Sequence, residues 1–391
     1  MINHWRPYRD RDALKVLIGG MLGMVVAMGI GRFVFTPILP LMQRDLAMSN
    51  TVAGWLAGLN YLGYLVGAIA CTVAPQLLRS RLVTGGALLT SIATTFWMGY
   101  TLTVFWWGAL RLFGGLASAI LFIVISVEVS EALTRRNYGH WVGSLYGGVG
   151  LGIVLSGLIV PQLDQLGGWD AAWVGSGIIA ALLSALGIML GRRRELIEPI
   201  HVSRPAASGT LRGLTLLAAA YFCEGLGYVV TATFIVAIIT HTPGLENFAS
   251  YSWVAVGCAA IPSTILWPCL ARHIGNRPAL LTAYIVQVAG ILVSIGATSV
   301  VAVVFSALTF GGTFMGIVAM TLGEGNRRMG AGGRRAAALL TAAFSVGQML
   351  GPILAGVLAD RQAGFTLPLL LAAGCVSGGA LLVALDRGYR H

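Results

Sequence analysis

Three ionisable side chains stand where ionisable groups are expensive, inside long apolar runs of the sequence: Arg32, Arg111 and Glu224. Arginine near the middle of a membrane span costs about 2.5–3.5 kcal/mol on insertion scales. Such a residue therefore braces the helices, reaches for the interface, or handles a charged ligand. The guanidinium fork holds a carboxylate or phosphate through two hydrogen bonds and keeps its charge. Arg32 and Arg111 are thus candidates to flank an anionic substrate, and Arg111 also to take part in proton coupling. The competing reading is that either arginine bonds backbone carbonyls or snorkels. Glu224 lies near the middle of its run. The charged form is costly there, which suits a group that binds and releases a proton during a transport cycle. Its competing reading is a structural hydrogen bond to a neighbouring helix.

Other polar side chains follow helical spacing around these three. Tyr221, Glu224, Tyr228 and Thr231 recur at i, i+3, i+7 and i+10 along one helix, and Asn60 and Tyr64 share a face of another. Asn60, Tyr64, Tyr221 and Tyr228 are the further candidate substrate contacts, with Tyr61, Tyr146, Gln287 and Gln348 as weaker ones. Glu128 and Glu324 fall near the cytoplasmic ends of their runs and are expected to act at a cytoplasmic gate. The five cysteines lack ligand spacing, and no phosphate-binding loop or nucleophile–base pair is visible, so no metal or other cofactor, no enzymatic activity and no ATP-driven transport is expected.

The elements that position these residues are membrane helices. The 391-residue chain is 57% hydrophobic and only 10% charged, against about 25% charged for an ordinary soluble domain. A spanning helix needs about 20 apolar residues. Twelve runs qualify, at residues 14–40, 51–75, 82–100, 104–131, 140–162, 170–190, 213–239, 248–270, 278–297, 300–324, 336–359 and 366–385. All but four of the 25 lysines and arginines fall at the termini or on even-numbered connections; Arg44 and Arg361 lie on the other side, and Arg32 and Arg111 inside spans. That bias predicts both termini in the cytoplasm and a multi-pass protein of the cytoplasmic membrane. The net charge of +11 is explained by these short clusters, so nucleic acid is not an expected partner. Trp55, Trp97, Trp106, Trp107, Trp169, Trp173 and Trp253 fall near outer span ends and are expected to form an interfacial belt. Recurrent glycine pairs at four-residue spacing predict close helix contacts within a monomer.

The chain also repeats itself. "AMGIGRFVFTPIL" from Ala27 aligns with "CEGLGYVVTATFI" from Cys223 at an offset of 196, and Phe113–Gly115 with Phe310–Gly312 at 197. This predicts two parallel six-helix halves, residues 1–190 and 213–391, joined by a basic cytoplasmic linker at 191–212. With its 6+6 repeat, the sequence resembles the major facilitator superfamily. "GIGRFVFTPILPLMQ" (29–43), "GWLAGLNYLGYLVGA" (54–68) and "YFCEGLGYVVTATFI" (221–235) are similar to the YbfB/YjiJ-type bacterial branch. Arg111 followed by Gly115 resembles the superfamily's fourth-span element. "APQLLRSRL" (74–82) lacks the acid usual after the second span, and "LARHIGNR" (270–277) carries Arg272 where an aspartate is usual. The resemblance implies an all-α integral membrane protein, with 12 transmembrane helices in two pseudo-symmetric six-helix bundles, working as an alternating-access secondary transporter. Together with the buried charges it suggests proton-coupled movement of a small organic anion; the alternative is proton-coupled, polyspecific efflux of lipophilic or cationic compounds.

Overall fold

The structure is a computed structural model that describes residues 7–191 and 211–389. Most of the expected linker, including Arg192–Arg194 and Arg204, lies outside the described residues. Every regular element among the described residues is helical. The first, α1, runs as α-helix over Pro7–Met24, as a π segment over Val25–Phe33 and again as α-helix over Phe35–Leu46. It is followed by α2 (Asn50–Val73), α3 (Arg81–Trp97) and α4 (Val104–Arg135). Two helical arms follow within Gly147–Gly191, separated where Gly167 and Gly168 leave helical geometry. Then come α7 (Thr215–Thr240), α8 (Ala249–Ile274), α9 (Asn276–Ile295), α10 (Val300–Met329), α11 (Gly333–Gln362) and α12 (Thr366–Leu385).

Eleven helical stretches among the described residues are long and apolar enough to cross a membrane, one of them the 52-residue Gly139–Leu190. At 1.5 Å per residue that stretch would be about 78 Å long, more than twice the ~30 Å hydrocarbon thickness. The break at Gly168, with φ of +84°, turns the chain back on itself. That left-handed backbone is open to glycine at no steric cost. The two arms, α5 before the break and α6 after it, are each long enough for one crossing. The predicted separate runs at 140–162 and 170–190 are these arms.

The halves are built alike. In the first, Gly29 of α1 lies against Gly152 of α5; in the second, Gly225 of α7 lies against Phe344 of α11. A Cβ on Gly115 would come 1.9 Å from the Asn60 carbonyl oxygen, and one on Gly311 would come 2.1 Å from that of Val256. Both pairs are related by an offset of 196 residues, so Gly311, rather than Gly312, is the structural counterpart of Gly115. The halves meet along α2 with α11 and α5 with α8, where Gly54 abuts the Pro352 carbonyl and Gly150 abuts that of Gly257. On the face opposite the chain termini, called distal below, the contact is tight. The Thr36 hydroxyl donates to the Ala232 carbonyl at 2.6 Å, and the Asp360 carboxylate accepts from the Asn50 and Thr51 amides at 3.0 and 2.8 Å.

The tryptophans correct one expectation. Trp55, Trp97 and Trp106 are exposed on the outer surface, as an interfacial belt requires, but Trp107, Trp169, Trp173 and Trp253 are buried. Three of the buried indoles find internal acceptors: Trp107 donates to the Met98 carbonyl at 3.2 Å, Trp253 to the Ser156 hydroxyl at 3.0 Å and Trp173 to the Met42 sulfur at 3.4 Å. A buried indole N–H with a partner inside the bundle does not need the headgroup region.

Candidate functional site

Arg32 sits in the π segment, near its C-terminal end, and is only 5% exposed. A π turn carries more residues than an α turn, so residues beyond it are rotated relative to those before it. Arg32 points its guanidinium at two rings of α2, lying 4.4 Å from the Tyr61 centroid and 4.5 Å from the Tyr64 centroid. The ring of Phe33 is 5.5 Å away. These faces stabilise the cation by cation–π attraction but accept none of its in-plane N–H groups strongly. The Nε and one terminal nitrogen of Arg32 are buried without a hydrogen-bond partner.

Arg111 is held differently. Its Nε donates at 3.4 Å to the Leu56 carbonyl, and its guanidinium lies 4.7 Å from the Phe35 centroid. The Asn60 amide nitrogen donates to the Arg111 carbonyl at 2.9 Å, while the Asn60 side-chain oxygen has no partner. Asn60 and Arg111 therefore lock α2 against α4. Both also line a small pocket with Gly31, Thr94, Thr95 and Trp173. The two arginines thus flank the same part of the N-terminal half but face separate partners.

In the C-terminal half an aromatic stack fills the space toward α1. Tyr221 stacks on Phe344 at 4.2 Å, and Tyr228 lies parallel to Phe344 at 5.3 Å and Phe314 at 5.9 Å. The Tyr228 hydroxyl accepts a short hydrogen bond from Gln348. Phe314 in turn meets Phe33 edge-on, with centroids 6.4 Å apart, and Phe33 meets Trp253 at 6.3 Å. The aromatic set therefore bridges the two halves beside Arg32.

Glu224 turns away from this stack. It is 1% exposed, and its Oε1 accepts from the Gln287 amide of α9 at 2.7 Å. The Gln287 side-chain oxygen accepts from the Thr313 hydroxyl of α10 at 2.9 Å. Glu224 Oε2 is buried without a partner. Tyr221 and Tyr228 are seven residues apart and point nearly the same way; Glu224 is offset by about 60° from Tyr221 and about 40° from Tyr228 around a 3.6-residue helix, enough to face α9 instead.

Glu324, at the opposite end of α10, makes ion pairs with Arg327 at 2.6 Å and Arg328 at 2.7 Å, and accepts from Asn276 at 3.2 Å. Arg328 continues to Asp386 at 2.8 Å and to the Gly213 carbonyl at 3.1 Å. All of these partners belong to the C-terminal half, so the cluster ties the ends of α7, α9, α10 and α12 into one body. Asn276 follows the departure from the usual motif and supplies a neutral amide to a glutamate from α10. Tyr389 lies 4.4 Å from the Arg328 guanidinium, and burial pushes its phenol well above the ordinary tyrosine range. Glu128 is half-buried near the corresponding end of α4.

Sequence spacing missed Gln287 and Thr313 as partners of Glu224, and gave Tyr61 less weight than Tyr64. The available signal was three buried polar residues on three different apolar runs, which lipid obliges to find one another.

The helical architecture and the paired halves are those of a transporter of the major facilitator type. The chain belongs to the family described as "Uncharacterised MFS-type transporter YbfB", whose profile matches residues 24–384. It is 29% identical over 373 residues to the uncharacterized transporter YycB of Bacillus subtilis, covering 88% of this chain and 87% of that one. It is 27% identical over 211 residues to the uncharacterized transporter YgaY of Escherichia coli O157:H7, covering 51% of this chain; the match spans only about half, 49%, of that relative's length. Among solved structures, the nucleoside transporter NupG matches with a TM-score of 0.71 and 12% identity over 97% of this chain and 98% of that one. At that identity the likeness concerns the fold.

Proposed function

We propose that this transporter is a proton-coupled secondary carrier of a small organic anion, lying in the cytoplasmic membrane with both termini in the cytoplasm. Residues 1–190 and 213–391 rock about a central site, connected by the linker 191–212. Arg32 is the anion-binding group, flanked by Tyr64 and faced across the halves by Tyr221 and Tyr228. Asn60 and Arg111 shape the adjoining wall. Glu224 carries the proton.

The observation that carries this reading is the pair of unmet donors on Arg32. A buried polar group without a partner costs about 1–3 kcal/mol, and more when it is charged. A carboxylate arriving in the guanidinium plane would satisfy both donors while the tyrosines hold the cation from its faces. The geometry thus favours a ligand that is anionic and flat at its binding end. The aromatic stack around Tyr228 is the observation that favours the second reading, efflux of lipophilic or cationic compounds. A thermal-shift screen of purified protein separates them. Metabolite carboxylates should raise the unfolding temperature of the wild type but not of Arg32→Ala. Stabilisation by drug-like cations alone, equal in both proteins, would support the efflux reading and refute the anion site.

A further inference from the structure

A set of buried polar side chains lies inside the C-terminal half, away from the cleft between the halves. Glu224 on α7, Gln287 on α9 and Thr313 on α10 form one buried layer. Seven residues from each of them, always toward the distal face, stands a hydroxyl: Thr231, Ser294 and Ser306. Seven residues are two helical turns, a rise of about 10.5 Å. Spacing of seven on three converging helices keeps these hydroxyls on the sides that meet at the buried layer.

These three hydroxyl residues line a single small cavity, open at one end, with room for about one or two waters. It continues past Ile235 and Val303 to Thr242 and Ala297, which lie in the turns that close the distal ends of α7 and α9. Thr231 and Ser306 are almost fully buried, and neither hydroxyl oxygen has a hydrogen-bond partner. Unpaired buried hydroxyls inside a lipid-embedded bundle are costly unless water reaches them, and the cavity gives water access to both. Between the two layers α9 carries Gly290, packed so closely on α10 that a Cβ there would come 2.1 Å from the Thr309 hydroxyl oxygen. Gly290 and Thr309 thus hold α9 and α10 in contact between the two layers, and a proton must pass this contact to reach Glu224.

We propose that this column is the proton-access path of Glu224, opening to the distal face through the interior of the C-terminal bundle and separate from the substrate cleft. The proposal rests on Glu224 being the proton carrier. A proton enters as hydrated H⁺ at Thr242, passes along waters held by Thr231, Ser294 and Ser306, and ends on the partnerless Oε2 of Glu224. No bond other than O–H bonds is made or broken. Because the path avoids the cleft, the proton can arrive while the anion occupies the site at Arg32.

The test uses full-length protein in proteoliposomes. Infrared difference spectroscopy identifies the carboxylic C=O stretch of Glu224 by its disappearance in Glu224→Gln, and its hydrogen–deuterium exchange rate is then followed. Thr231→Val combined with Ser306→Ala should slow exchange at least about fivefold, the equivalent of one lost hydrogen bond of about 1 kcal/mol. Thr231→Ser, which keeps the hydroxyl, and Thr36→Val, on the cross-half contact, should exchange at the wild-type rate. In a background lacking native cysteines, Ser294→Cys should react with an impermeant methanethiosulfonate from the distal side, while Val229→Cys, packed against α11, should not. Unchanged exchange in the double variant, or no distal labelling of the cysteine at position 294, overturns the path even if Glu224 titrates. Absence of any C=O band assignable to Glu224 instead overturns the proton-carrier reading beneath it.

Discussion

Asp360 is the group whose removal should most simply loosen the distal face. Its carboxylate sits at the N-terminus of α2 and accepts from the backbone amides of Asn50 and Thr51 at 3.0 and 2.8 Å and from the Asn50 side chain at 2.9 Å. α2 and Asp360 belong to different halves, so all three bonds must break for this face to part. An anion at a helix N-terminus contributes about 0.3–1 kcal/mol through the dipole, and a side-chain cap about 0.5–2 kcal/mol. The pair is partly solvated, which places the sum near 2 kcal/mol. Asp360→Ala should therefore shift the closed-to-open equilibrium of the distal face by about 30-fold. Asp360→Asn keeps one acceptor oxygen and should shift it by about fivefold, or roughly 1 kcal/mol. The assay is the labelling rate of Thr36→Cys by an impermeant thiol reagent from the distal side, with this substitution present in every protein compared. Thr36 is buried at the cross-half contact, so its thiol reacts only when the halves separate there. Equal labelling with and without Asp360 would show that the carboxylate does not hold the face shut.

Three further outcomes follow from the same geometry. Arg32→Lys should weaken anion binding by at least tenfold despite the retained charge, because a point ammonium cannot replace the planar fork; isothermal titration with the strongest hit of the carboxylate screen measures it, and wild-type affinity would remove Arg32 from the site. Gly115→Ala would place a Cβ 1.9 Å from the Asn60 carbonyl oxygen and should cost about 1–3 kcal/mol of overpacking, read as a lowered unfolding temperature in detergent, whereas Gly374→Ala, which meets nothing within 4 Å, should leave it unchanged. A cysteine at Ser203 should be labelled from the cytoplasmic side only, since the basic residues around it predict that placement; labelling from the periplasm would invert the topology.

Hydropathy alone located the long helices, because 20 apolar residues in a row have few other uses. It also separated the fifth and sixth runs at the Gly167–Gly168 turn that joins them in space. Composition identified Arg32, Asn60, Arg111 and Glu224 as buried polar groups, since none of their runs offers water. What spacing did not convey is which neighbour each would face. Arg32 lies near the end of a π segment, which rotates it off the regular 3.6-residue face and onto Tyr61 and Tyr64. Glu224 shares a broad face with Tyr221 and Tyr228, yet an offset of about 40–60° carries it to Gln287 on α9. Four tryptophans expected at the lipid interface are buried because internal packing offers them better contacts, and position along a span does not encode radial direction. The repeat was legible from glycines, but only the contacts of Gly115 and Gly311 show which glycine of α10 is the counterpart of Gly115.

Gradient-driven transport tests the central reading most directly. Proteoliposomes containing wild-type protein, Arg32→Lys or Glu224→Gln at equal amounts would be loaded with the best-binding carboxylate or supplied with it outside, and an imposed pH gradient compared with none. The wild type should move the anion against its concentration gradient only when the pH gradient is present. Arg32→Lys should need a far higher anion concentration for the same rate, and Glu224→Gln should lose gradient-driven accumulation while still exchanging bound for free anion. Anion movement indifferent to the pH gradient in the wild type, or full accumulation by Glu224→Gln, would contradict proton-coupled anion transport by this chain.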